Sequence, residues 1–110
     1  MKVAAIQMVS GISLDANLSA ARALLDQAAH CGAELAVLPE YFCFMGQNDA
    51  DKLLLAETAG LGTVQDFLSD TARELKLWIV GGTLPMATDD PTHAAHASLV
   101  YSPKGECVSR

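Results

Sequence analysis

The 110-residue sequence has no cluster of basic residues: 7 lysines and arginines are scattered among 13 acidic residues, for a net charge of −6. Nucleic acid and anionic membrane surfaces both require a basic patch, so neither is expected as a partner. No apolar run approaches the ~20 residues of a membrane span. The opening "MKVAAIQMVSG" is interrupted by Gln7 and Ser10 before a signal-peptide core could form, so it reads as the first strand of a cytoplasmic protein. Cysteine is scarce: Cys31, Cys43 and Cys107 are odd in number and form no CxxC pair, which argues for free thiols rather than a disulfide framework. Together with His30, His93 and His96 they show none of the paired spacings of a zinc site, and no cofactor is expected. Aromatics are only 5% although hydrophobic residues reach 51%, so the apolar material is mostly Ala, Leu and Val, suited to helix-on-sheet packing. The charged fraction of 18% is low. Such chains bury surface against more polypeptide or a second subunit, and a homo-oligomer is expected.

Periodicity then gives the order of elements. Lys2 to Met8 lacks alternation and reads as a strand covered on both faces. Leu14, Leu18, Ala21, Leu25 and Ala28 recur at helical spacing, with Asp15 as N-cap and Gly32 as stop. Leu35 to Leu38 is a second buried strand, and strand–helix–strand within about forty residues predicts a parallel βαβ unit with a right-handed crossover. Residues Cys43 to Asn48 read as a loop and Asp49 to Glu57 as a short helix. Thr63 with Asp66 suggests a capping box, followed by an apolar face of Val64, Phe67 or Leu68, Ala72 and Leu75. "LWIVGGTLP" is a third buried strand closed by Gly81-Gly82, and "ATDDPTHAAH" a polar loop. "ASLVYSPKGECVSR" is two strands around a turn at Ser102–Gly105. Residues 1–110 thus read as a single, partial α/β domain, because the chain stops at Arg110 inside the last strand.

The stretch "AELAVLPEYF" carries the chemistry. In open α/β sheets the working site lies beyond the carboxyl ends of the strands, and Glu40 sits at such an end. Pro39 fixes φ and forces Leu38 into extended geometry, so the exit is stiff. A half-desolvated carboxylate there would have a raised pKa suited to a general base; an N-cap or a surface salt bridge is the plainer alternative. The segments "VAAIQM", "GAELAVLPEYF", "VGGT" and "SLVYSPKGE", in that order, resemble the nitrilase superfamily of carbon–nitrogen hydrolases over essentially the whole chain. The resemblance implies the N-terminal half of a four-layer α-β-β-α sandwich, usually a dimer through a helical face. It also implies a Glu/Lys/Cys mechanism on a small-molecule amide or nitrile. The Cys attacks the carbon, the Glu accepts its proton and later activates water, and the Lys stabilises the charge of the intermediate. Glu40 matches the family's general base, and Tyr41 is a candidate pocket-lining residue.

The resemblance also marks what is not in these 110 residues. The family's Lys motif, Lys-x-His-Leu-Phe, matches none of Lys2, Lys52, Lys76 or Lys104. No cysteine fills the nucleophile's place: Cys31 closes a helix and reads as a buried structural thiol, Cys43 follows the wrong strand, and Cys107 reads as strand packing. His96 or Ala95 stands where the family often carries Asn. The 110-residue chain is therefore expected to be inactive by itself. The leading substrate expectation is a short ω-amide, with nitriles and N-carbamoyl compounds as alternatives. A non-catalytic α/β binding or vestigial module is the competing reading. A flavodoxin-like domain would need a phosphate-cradling loop, and "QMVSGIS" offers one glycine.

Overall fold

A computed structural model describes residues 2–8, 14–39, 62–87 and 94–109, with the backbone alone at 83–85, 87 and 94–97. Within them the chain runs β1 (Val3–Ala5), α1 (Leu14–His30), β2 (Leu35–Val37), α2 (Thr63–Leu75), β3 (Trp78–Ala87), β4 (Ala94–Tyr101) and β5 (Cys107–Ser109). The five strands form one sheet in sequential order. β1, β2 and β3 are parallel, and β4 and β5 are antiparallel additions. The expected parallel pairing of β1 and β2 and the hairpin at the end are both present. The expected loop at residues 43–48 and helix at 49–57 lie outside the described residues.

Strand burial alternates. Ala36 and Ile79 are fully buried, whereas Val3 is 55% and Trp78 38% exposed. Ala4, Ala36 and Ile79 share one register row, and Val3, Leu35 and Trp78 the next. Among the described residues the strands are thus covered on one face, where their unbroken apolar sequences suggest both. Helix residues Ala21, Leu25, Val64, Leu68 and Ala72 join Ala36, Ile79, Leu99 and Tyr101 in a single core, which puts α1 and α2 on the same side of the sheet. Each fully buried Leu or Ile contributes about 1.5–3 kcal/mol. In α2 Leu68 and Ala72 are fully buried; Phe67 is only partly buried.

The helix ends differ from expectation in detail. α1 begins at Leu14, so Asp15 lies in its first turn, where a carboxylate favours the helix dipole without capping. α2 is preceded by Gly62 (φ 144°) with no side-chain cap, so Thr63 is the first helical residue and the capping box does not form. A one-residue shift of the helix start is enough to undo a cap assignment. The stop at Gly32 holds: at φ 90°, its N–H donates to Ala29 (3.0 Å) and that of Ala33 to Ala28 (3.0 Å), a Schellman closure. α2 closes instead on Lys76, a non-glycine in the left-handed region at φ 55°, whose N–H donates to Ala72.

The turn at 102–105 is closed by Gly105 N–H donating to Ser102 (2.8 Å), with Gly105 at φ 82°. Ser69 Oγ on α2 donates to the Gly105 carbonyl (2.6 Å), pinning the hairpin to the helical layer. Cys107 packs against the core, as expected for a strand packing residue, but Cys31 is exposed rather than a buried thiol. It lies inside the Schellman closure, between the last helical residue His30 and Gly32.

Candidate active site

The parallel pairing ends on the row Ala5, Val37 and Val80, at the carboxyl ends of β1 and β2. Past that row the ladder continues for one more step. Ile6 N–H donates to Val37 (2.9 Å), and Leu38 N–H donates to Val80 (2.9 Å). Leu38 is 2% exposed, so β2 leaves the sheet with its last apolar side chain locked in the core. Pro39 follows, half-buried. Glu40 and Tyr41, the two expected site residues, and Cys43 lie outside the described residues; what the structure defines is the platform from which Glu40 departs.

That platform is finished by β3. The Gly81-Gly82 doublet does not close the strand, which runs on to Ala87. Gly81 pairs with Leu99 and Thr83 with Ser98, so Gly82 is the extra residue of a β-bulge. Neither glycine has positive φ; what each supplies is space. A Cβ on Gly81 would come within 2.6 Å of Leu68 Cδ1 in the helical layer. A Cβ on Gly82 would run into the carbonyl oxygen of Pro39, with the Pro39 carbonyl carbon 2.8 Å and the Leu38 oxygen 3.2 Å away. The exit of β2 is therefore seated on bare backbone. By its residue types the doublet reads as the close of the strand. The signal that pointed the other way is the apolar continuation "TLPMA": glycine inside a strand pattern marks a bulge or a close backbone approach.

The other histidine and cysteine of the helical layer are not part of this end. His30 and Cys31 line a shallow cavity of ≈ 440 Å³ with Asp26 and Gln27. Lys2 Nζ donates to the Cys31 carbonyl (2.6 Å), which places that cavity where β1 begins, at the far end of the sheet from Pro39. Among the described residues no group of three or more His, Cys, Asp or Glu is placed to hold a metal. On the helical surface Arg22 bridges Asp26 (2.9 Å) and Glu74 (3.1 Å), tying α1 to α2, and the hydrogen bond with Asp26 does most to hold its pKa above the usual arginine value.

The carbon–nitrogen hydrolase family model matches residues 2–110. The chain belongs to the carbon–nitrogen hydrolase family. It is 34% identical over 108 residues to a deaminated glutathione amidase of Synechocystis, covering 97% of the chain and 39% of the relative. It is 33% identical over 108 residues to a nitrilase of Pyrococcus abyssi, covering 96% of the chain and 40% of the relative. The chain thus spans about two-fifths of the length of these relatives. Among solved structures, the C. elegans NitFhit protein superposes with a TM-score of 0.87 at 27% identity, covering 97% of this chain and 26% of that one. Saccharomyces cerevisiae Nit3, a nitrilase-superfamily member, gives 0.84 at 28% identity, covering 99% and 42%. The fold is the nitrilase-type α/β fold, with one helical layer on one sheet described.

Proposed function

We propose that this hydrolase-family chain supplies the general base, Glu40, for cleavage of a non-peptide amide of a small carboxylic acid, with a nitrile as the alternative substrate. The observation that carries the reading is the rigid exit of β2: a strand locked by Leu38, stiffened by Pro39 and seated on Gly82 leads directly into a carboxylate. In the Glu/Lys/Cys scheme Glu40 takes the thiol proton as sulfur attacks the carbonyl carbon. That proton leaves with the amine as the tetrahedral intermediate collapses to a thioester. Glu40 then takes a proton from water, whose oxygen attacks the thioester, and the acid and thiol are released. A Lys ammonium stabilises the oxyanion in both steps. No Lys or Cys of these 110 residues matches those roles, so the chain alone hydrolyses nothing. A relative named as an amidase supports an amide as substrate, and a short ω-amide is the leading choice.

The test is made on the native protein from its own cells. Its mass under denaturing conditions reports the length of the polypeptide carrying this chain, and its mass under native conditions the association state. A subunit several-fold heavier than 11.6 kDa is expected. The register row of Val3, Leu35 and Trp78, with its exposed Val3 and Trp78, favours association. In that protein Glu40→Gln should lower amide hydrolysis about 10²–10⁴-fold with the fold intact. Full activity in Glu40→Gln, or a native subunit of 11.6 kDa, would remove the catalytic reading and leave a non-catalytic binding module.

A further inference from the structure

We infer that Gly82 is a positioning residue for the reaction, acting on Glu40 through the Pro39 carbonyl; the inference rests on Glu40 being the general base. The carbonyl that would collide with a Cβ at position 82 belongs to the peptide group whose nitrogen is that of Glu40. Any displacement of that oxygen tilts the peptide plane and swings the Glu40 Cα with it, because the group is planar. Pro39 cannot absorb the motion by rotating φ, since its ring fixes that angle. Leu38 cannot absorb it either: its N–H is bonded to Val80 and its side chain is fully packed. The strain of an added methyl at 82 is thus directed forward, into the residue that carries the chemistry.

The bulge sharpens the argument. Gly82 is the one residue between Ile79 and Ala87 of β3 that has no register partner on β4, and it is this bulge residue whose Cβ would meet Pro39. Gly81, one residue earlier, is the internal control. Its Cβ would press on the terminal methyl of Leu68, a flexible group on the helical side, and its three nearest atoms all belong to that side chain. Two adjacent glycines, both buried and both in a strand, therefore differ in what they leave room for: one a core side chain, the other the backbone leading to the carboxylate.

The experiment compares Gly82→Ala, Gly81→Ala and Glu40→Gln in the native protein, reading kcat, KM, the pH profile of kcat/KM and thermal stability. A misplacement of about 1 Å is worth on the order of 10²-fold in rate. Gly82→Ala should therefore lose kcat by roughly that factor with KM little changed, and should shift the acid limb of the profile. Gly81→Ala should lower Tm while keeping kcat and the pH profile. An unchanged kcat in a folded Gly82→Ala protein overturns the proposal, as does an equal kcat loss in both glycine variants. If Gly82→Ala does not fold, Pro39→Ala reads the same link by freeing φ without adding an atom to the contact. Lower kcat at unchanged KM supports the proposal, and wild-type kcat overturns it. Activity surviving in Glu40→Gln would instead remove the general-base reading, so the two failures are distinguishable.

Discussion

The two ends of β2 are held by different kinds of contact. At its start, Glu34 N–H donates to Lys2 (2.8 Å), Trp78 N–H donates to Glu34 (2.9 Å), and the exposed Lys2 ammonium reaches the Cys31 carbonyl. These are hydrogen bonds at a partly wet edge, each replaceable by water and worth about 0.5–1.5 kcal/mol net. At its exit, backbone lies on backbone with no room for a methyl group, under a fully buried Leu68 that occupies the space Gly81 leaves open. Hydrogen bonds hold an element while letting it adjust; close packing fixes atoms to within tenths of an ångström. The end that leads to the proposed base is the packed one.

That contrast can be broken from either side. The largest effect is expected at the exit: Leu68→Ala removes the side chain wedged against Gly81 and should cost about 2–5 kcal/mol in chemical denaturation of the native protein. A cost below about 1 kcal/mol would mean that the exit is not tightly packed. At the entry, Lys76 holds a left-handed conformation to close α2. Lys76→Gly should relieve that strain and raise stability by about 1 kcal/mol, since glycine carries no Cβ penalty there. A loss of stability would show that the Lys76 side chain contributes more than its backbone strain costs. The smallest effect is expected for Lys2→Met, which deletes only the exposed hydrogen bond to Cys31: about 0.5 kcal/mol, with kcat unchanged. A large change in kcat would show that the two ends are coupled and the comparison is wrong.

Much of this arrangement is legible in the residues. The period change at Leu14, the Gly32 stop and the apolar run Leu35–Leu38 predict β1-α1-β2 with parallel strands, and "SPKG" predicts the hairpin. The caps at Asp15 and Thr63 are not legible, because each depends on where the helix starts to within one residue. Nor is the exposure of Cys31 or the one-sided cover of the strands, because a local pattern does not say which neighbours arrive. Glu40 is singled out by Leu-Pro-Glu at a strand end, but the sequence is silent on what holds Pro39 in place.

The sequence by itself determined the order of elements, the parallel core of the sheet and the position of the carboxylate at a strand exit. All three follow from local periodicity, turn chemistry and the fixed φ of proline. Only the tertiary structure decided what Gly82 is for. Its role depends on a carbonyl 43 positions earlier, at residue 39, brought against it by the pairing of β2 with β3. A glycine kept for space is identical in sequence to one kept for a turn, and only the neighbour that fills the space distinguishes them.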